Sequence, residues 1–351
     1  MVVLQDLLKE TIKENASDLH LTVGTPPVIR VNGELKRLGK EKLQPADTEK
    51  FAREILEEDY ERYNKIGEVD RSFSISGLGR FRVNLFKQRG SCAVAIRVIG
   101  LKIPTLNDLK LPDGVKKLLD CKRGLILVTG ATGSGKSTTL AAMINEINFT
   151  RAANIITLED PIEYLHKHNK SIINQREIGK DSLSYANALK SVLREDPDVI
   201  LVGEMRDLET IAITLTAAET GHLVFSTLHT IGTAKTIDRI VDVFPPYQQQ
   251  QVKIQLAAVL KGVICQQLIP KLDGKGRIPA IEIMIATTAI KNMIREGKTH
   301  QIESSMQTGA KYGMKTMDMS LAELYKNGLI SYESAMAYAI DNNMLARIIS
   351  L

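Results

Sequence analysis

Gly124-Leu125-Ile126-Leu127-Val128-Thr129, followed by Gly130-Ala131-Thr132-Gly133-Ser134-Gly135-Lys136-Ser137-Thr138, is the stretch that decides the fold. An uncharged apolar run leads into a glycine-rich turn, and Ser137–Ile147 then reads as a helix. Gly130–Ser137 matches the phosphate-loop pattern G-x-x-x-x-G-K-[ST] in the strand-before, helix-after context that the pattern requires. The glycines let backbone N–H groups turn inward around phosphates. Lys136 would reach the β- and γ-oxygens, and the Ser137 hydroxyl would hold Mg²⁺.

Outward from this loop, apolar strands alternate with helices. Leu125–Thr129, Ile155–Leu158, Val199–Val202 and Leu223–Thr227 are continuously apolar rather than alternating. Runs of that kind belong to a mostly parallel sheet covered on both faces, so the fold class is α/β. A helix is expected over Leu208–Glu219, stopped by Gly221. The last 70 residues are helical in pattern, most clearly at Ala289–Glu296, Met319–Asn327 and Tyr332–Ile340.

Two of the strands end in acids. Asp198-Val199-Ile200-Leu201-Val202-Gly203-Glu204 places Glu204 at a carboxyl end, where ligands bind in open α/β sheets. Glu204 can hold Mg²⁺ through water or polarise an attacking water; the plain alternative is an ordinary loop acid. Leu158-Glu159-Asp160-Pro161-Ile162-Glu163-Tyr164 gathers three carboxylates that repel one another and invite a cation or a polarised water. A solvated acidic turn is the alternative there. Thr220-Gly221-His222 through Thr227-Leu228-His229 sets a histidine at each end of one strand. Either His222 or His229 can donate to a γ-phosphate oxygen, or each is a satisfied structural donor.

Residues 1 to about 100 read as a separate small α/β unit. Leu4, Leu7, Leu8 and Ile12 have helical spacing, Ser17–Leu21 is extended, and Pro26-Pro27 with Asn32-Gly33 marks a turn. A charged helix is expected from Thr48 to about Tyr63. From Arg80 the period becomes two, with Phe81, Val83 and Leu85 on one face and Arg80, Arg82 and Asn84 on the other. Cys92–Ile99 would pair with that strand. Gly100–Thr105 reads as the start of a linker, giving domains at 1–100 and 116–351 with 101–115 between them.

Composition narrows the class. The chain has 351 residues, 44% apolar and 25% charged, which is globular and suits about two domains. Its longest stretch without Asp, Glu, Lys or Arg is Thr220–Ala234, shorter than the roughly 20 residues a bilayer-spanning helix needs. No export signal is read at the start. The three cysteines, Cys92, Cys121 and Cys265, make neither a disulfide framework nor a zinc signature. A net charge of +5, no Trp and 5% aromatic residues argue against nucleic acid as a partner.

Taken in order, the phosphate loop, Glu159-Asp160-Pro161-Ile162-Glu163, Gly203-Glu204 and Thr220-Gly221-His222…His229 resemble the secretion-superfamily ATPases that drive type II secretion and type IV pili. Ala16-Ser17-Asp18-Leu19-His20-Leu21 and Gln266-Gln267-Leu268…Gly276-Arg277 extend the likeness over nearly the whole chain. Within that superfamily the chain is most similar to the pilus retraction ATPases of the PilT type. Ala289-Ile290-Lys291-Asn292-Met293-Ile294-Arg295-Glu296 resembles their Ala-Ile-Arg-Asn-Leu-Ile-Arg-Glu segment, departing at Lys291 and Met293. A tetracysteine zinc insertion, usual in extension and secretion members, is not found.

The resemblance implies a PAS-like N-terminal domain and a RecA-like ATPase domain with a C-terminal helical region, assembled as a homo-hexameric ring. It implies hydrolysis of ATP with Mg²⁺, bound by Gly130, Ala131, Thr132, Gly133, Ser134, Gly135, Lys136, Ser137 and Thr138. Glu163 would orient the water, Glu204 would support it or the metal, and His222 and His229 would report the γ-phosphate. The work would be pilin removal at an inner-membrane platform protein, by a motor peripheral to the cytoplasmic face of the membrane. Other classes stay open at this point: a RecA-like translocase on nucleic acid, or a nucleotide-switched scaffold that does not hydrolyse.

Arginines of the first domain are the remaining candidates. Arg71, Arg80, Arg82, Lys87, Arg89, Arg97 and Lys102 occur without an intervening Asp or Glu. The run is either a solvated face or a site for an external anion. On the second reading, Arg82 and Arg97 reach the γ-phosphate, within a subunit or across the ring.

Overall fold

The computed structural model describes residues 3–31, 33–75, 77–99 and 103–350. Asn32 of the expected turn, and Gly100, Leu101 and Lys102 of the expected linker, lie outside the described residues. The chain divides into two compact units, residues 1–102 with 163–165, and residues 103–162 with 166–351.

In the first unit, α1 (Leu4–Lys13) precedes β1 (Asp18–Leu21), β2 (Val28–Val31) and β3 (Glu34–Arg37). Helices α2 (Pro45–Leu56) and α3 (Tyr60–Ile66) follow, then β4 (Glu68–Ile75), β5 (Gly79–Gln88) and β6 (Ser91–Ile99). The strands form one antiparallel sheet in the order β3-β2-β1-β6-β5-β4. The single helix expected over Thr48–Tyr63 is two helices, parted by a 3₁₀ turn at Glu57–Asp59 where Glu57 takes a φ of 46°. A continuous α-helix cannot pass through that left-handed residue. The alternation on β5 appears in part: Phe81, Val83 and Leu85 are buried in a core with Leu19, Ile29, Phe51 and Ile96, and Arg82 is exposed, but Asn84 is half-buried and Arg80, expected on the open face, is buried.

The second unit opens with α4 (Asp113–Leu119), β7 (Gly124–Thr129), α5 (Lys136–Thr150), β8 (Asn154–Glu159) and β9 (Ile172–Glu177). Next come α6 (Tyr185–Val192), β10 (Val199–Val202), α7 (Leu208–Glu219), β11 (Leu223–Leu228), α8 (Thr233–Asp242) and α9 (Pro246–Val259). The strands β12 (Leu260–Pro270) and β13 (Arg277–Ile285) lead to α10 (Thr288–Glu296), α11 (Ile302–Gln307), α12 (Met317–Lys326), α13 (Tyr332–Tyr338) and α14 (Asn342–Ser350). The sheet order is β13-β12-β7-β11-β10-β8-β9, parallel except for the antiparallel edge strand β13. This is the RecA-like arrangement expected.

Both faces of the sheet are covered, which explains the unbroken apolar runs. Leu125, Leu127, Leu158, Val202 and Val224 join one core with residues of α6, α7, α8 and α9. Ile126, Val128, Val199, Leu201 and Phe225 join another with Leu118, Leu140 and Ile144 of α4 and α5. That second core also takes Leu106, Leu111 and Val115. The stretch read as linker up to residue 115 is therefore packed into the second unit from Ile103 onward, because its spaced leucines have a sheet face to bury against. The helices α12, α13 and α14 cover β12 and β13 around Ile269, Ile278, Leu321 and Leu345. No helix among the described residues is long and apolar enough to cross a membrane.

Candidate nucleotide site

The glycine-rich turn leaves the carboxyl end of β7 with positive φ at Gly130 (141°), Gly133 (76°) and Gly135 (89°), and α5 begins at Lys136. A Cβ on Gly130 would stand 2.2 Å from the Gln266 carbonyl oxygen and 2.6 Å from Ser134 Oγ. A Cβ on Gly135 would stand 2.8 Å from Gln266 Nε2. Glycine is thus required twice over, for the turn and for the close approach of β12 beneath it.

Lys136 Nζ donates to the Gly130 and Ala131 carbonyl oxygens at 2.9 and 3.0 Å, which holds the ammonium over the turn. Ser134 Oγ is buried with no hydrogen-bond partner among the described residues. A helix N-terminus after a glycine turn, a held ammonium and a hydroxyl without a partner among the described residues are the chemistry a phosphate group satisfies. Ser137 and Thr138 lie on the first turn of α5, half-buried.

Because β11 is parallel to β7, with Leu228 opposite Thr129, His229 emerges at the same edge as the loop. β10 pairs with β11 on its far side and delivers Glu204 there too. Two strand spacings put Glu204 about 10 Å across the sheet from β7. The imidazole fills that gap: His229 Nε2 is 3.4 Å from Glu204 Oε2, and Nδ1 is 3.5 Å from the Thr132 hydroxyl. Arg206 Nε also binds Glu204 Oε2, at 2.7 Å. The Thr227 hydroxyl donates to the Gly203 carbonyl at 2.6 Å, tying the turn before Glu204 to β11.

Not every expected residue arrives. His222 lies at the amino end of β11, where its Nδ1 is 2.8 Å from the Ala217 carbonyl oxygen. A strand of six residues separates it from His229, about 20 Å of extended chain. Parallel pairing sends only the carboxyl end of β11 to the phosphate loop, so the expectation for His222 is corrected: within this chain it caps the opposite edge. Glu159 Oε1 accepts from Thr157 Oγ1 at 2.6 Å and from Gln175 Nε2 at 3.1 Å. Glu163 is exposed and belongs to the segment grouped with the first unit, so the carboxylate that the second unit itself sets beside the loop is Glu204.

In the first unit Arg82 and Arg97 are direct cross-strand partners on one face of β5 and β6. The reading of a basic cluster without carboxylates is corrected, because the acids come from other elements. Asp18 on β1 lies opposite Arg97 and accepts from its Nε at 2.9 Å; Asp59 pairs with Arg71. Burial raises the pKa of Asp18, but the Ser17 hydroxyl and Arg97 outweigh it and hold the carboxyl below its usual range. Arg80 is buried against the hydroxyls of Ser72 and Ser74.

Sequence reasoning missed one working part of the loop, the side chain of Gln266. This residue is 4% exposed, and its Oε1 accepts from Thr139 Oγ1 on α5 at 2.7 Å. A buried glutamine in an apolar strand was the available signal, since such an amide needs partners. Gln266→Leu leaves the Thr139 hydroxyl unpaired, at a cost of about 1–3 kcal/mol. ATP affinity, followed by titration with a fluorescent analogue, should weaken by about tenfold. Unchanged affinity in a folded Gln266→Leu protein would show that the turn does not need this brace.

Comparison with known proteins places the site in context. Residues 1–339 match the family described as type II/IV secretion system protein. A type IV pilus retraction ATPase of Pseudomonas aeruginosa, PilT, is 49% identical over 333 residues, 95% of this chain and 96% of that one. A twitching motility protein of Neisseria gonorrhoeae is 48% identical over 346 residues, 98% of this chain and 92% of that one. The crystal structure of a pilus retraction motor, PilT with bound ADP, superposes with a TM-score of 0.92 at 52% identity, covering 99% of this chain and 100% of that one. With the phosphate loop, His229 and Glu204 gathered at one sheet edge and the likeness running the length of both chains, this chain belongs to the type II/IV secretion system protein family.

Proposed function

We propose that the chain is an ATPase motor that powers type IV pilus retraction. The observation that carries the proposal is the line of contacts from Thr132 in the phosphate loop, hydrogen-bonded to His229, and on from His229 to Glu204 at 3.4 Å. Full-length likeness to a retraction ATPase and a twitching motility protein supplies the biological setting. In this reading the loop amides, Lys136 and the Ser134 hydroxyl bind the triphosphate. Ser137, and Glu204 through water, would hold Mg²⁺, which supplies charge neutralisation at the phosphates. Loss of the γ-phosphate would be felt first at Thr132 and passed through His229 to Glu204 and Arg206.

Glu163 keeps the proposed role of orienting the attacking water, and Glu204 supports it. Arg82, which among the described residues has no carboxylate partner of the kind that ties Arg97 to Asp18, is the arginine assigned to the developing phosphate charge. The working assembly in this proposal is a homo-hexamer acting on a platform protein at the inner membrane. Coupling to it is assigned to α10, which carries Lys291 and Arg295 and follows every phosphate-handling residue in chain order.

Lys136→Ala should abolish phosphate release from ATP and weaken nucleotide binding in a folded subunit. Glu163→Gln should bind ATP normally and turn over slower by about 10²–10⁴, the usual worth of a general base. A crippled Glu204→Gln beside a normal Glu163→Gln would reverse the two roles.

Arg82→Ala should depress turnover far more than ATP affinity, since an arginine completing a phosphoryl-transfer site is worth about 10³–10⁵ in rate. Steady-state ATPase and equilibrium nucleotide binding, measured on the same preparation, separate the two effects. Arg97→Ala, whose side chain is committed to Asp18, should be the milder change.

Lys291→Ala and Arg295→Ala should leave ATPase activity largely intact while abolishing twitching motility. Normal motility in both variants would remove α10 from the coupling path.

A further inference from the structure

Tyr185 belongs to none of the motifs, yet its hydroxyl points into the acidic edge of the sheet. It is the first residue of α6, next to the Ser184 cap that accepts from Asn187 N. Its ring packs against the core that contains Leu158, Val202 and Met205. That packing aims the hydroxyl at the carboxyl ends of β8 and β10. There it meets Gly203, where a Cβ would stand 2.7 Å from Tyr185 Oη and 3.0 Å from the Leu158 carbonyl oxygen. Gly203 does not have a positive φ, so its backbone conformation does not call for glycine. What calls for it is room, for the phenol and for the neighbouring strand. The glycine preceding Glu204 thereby acquires a physical reason.

The surroundings of the phenol are chemically specific. Burial raises its pKa, and the charges of Glu204, Asp160 and Glu159 raise it further, so the hydroxyl stays protonated and can only donate to an acid. It has no hydrogen-bond partner among the described residues. Glu204 is engaged unevenly: Arg206 and His229 both make their closest approach at Oε2, at 2.7 and 3.4 Å, so Oε1 is the oxygen farther from either. One water accepting from the phenol and donating to Oε1 would engage that second oxygen.

We propose that Tyr185 is a positioning residue for ATP hydrolysis: through a bridging water its phenol fixes Oε1 of Glu204, while His229 and Arg206 fix Oε2. Glu204 is then clamped from both sides, and its geometry relative to Thr132 no longer depends on one contact to an imidazole. The inference rests on the role given to Glu204 above.

Tyr185→Phe removes one oxygen and keeps the ring, so the fold is expected to hold and the unfolding midpoint to stay at the wild-type value. Turnover should fall about tenfold with KM for ATP unchanged, the loss expected for one hydrogen bond to a charged group. Affinity for ADP alone should be unchanged, whereas affinity for ADP with aluminium fluoride, titrated calorimetrically, should weaken by the same factor. A merely structural tyrosine would move the midpoint or both affinities together, and that result overturns the proposal. So does wild-type turnover in Tyr185→Phe beside a slow Glu204→Gln. If Glu204→Gln itself turns over normally, the Glu204 assignment fails, and any Tyr185→Phe defect then acts by another route than the one proposed.

Discussion

In-register parallel pairing of β11 with β7, from Leu223 opposite Gly124 to Leu228 opposite Thr129, is the constraint on which the nucleotide site depends. Parallel strands share a carboxyl edge, so the loop after β7 and the turn after β11 leave the sheet side by side. A slip of one residue would move His229 by about 3.3 Å relative to Thr132, more than a hydrogen bond tolerates. The register is held by apolar burial on both faces, with Phe225 in one core and Val224 in the other. Each fully buried side chain of that size contributes about 1.5–3 kcal/mol, so several must be exposed or misplaced before the pairing shifts.

The same edge explains why polar groups here are braced from below as well as from beside. The phosphate loop has three glycines at positive φ and little side-chain packing of its own. Its stiffness comes from β12, whose Gln266 backbone and amide approach Gly130 and Gly135 too closely for any Cβ. Glu204 is restrained by the same logic. Gly203 lets Tyr185 and β8 approach, Thr227 pins the turn, and Arg206 and His229 take one carboxylate oxygen. Preorganised polar groups of this kind lose little by reorganising when charge develops beside them.

In the first unit, electrostatics follow sheet register rather than sequence composition. Seven basic residues from Arg71 to Lys102, with no Asp or Glu between them, suggest an uncompensated cationic face. The antiparallel ladder brings Asp18 opposite Arg97, and Asp59 meets Arg71. Arg80 meanwhile is turned to two serine hydroxyls on β4. Arg82 and Arg97 look equivalent in the sequence and are cross-strand partners in the sheet, yet only Arg97 has Asp18.

Much of this protein was determined locally and could be read as such. The phosphate loop, the unbroken apolar strands, the period-two strand Arg80–Leu85 and the helix Leu208–Glu219 each depend on residues within a few positions of one another. Glycine torsions, strand alternation and helical spacing are short-range properties, so they survive in a linear reading. The tertiary structure decided the rest. It separated His222 from His229 although they bracket one strand, because strand direction has meaning only relative to β7. It drew residues 103–115 into the second core, since a spaced leucine is a linker residue or a core residue according to what lies above it. It supplied Asp18 to Arg97, Gln266 to the phosphate loop and Tyr185 to the edge beside Glu204. Those partners are separated by 79, 136 and 19 positions, counting Gln266 from Gly130, and nothing in the sequence around either member announces the other. Pairing across such separations is a property of the folded sheets, whose register is set by burial of apolar faces and not by the polar residues it brings together.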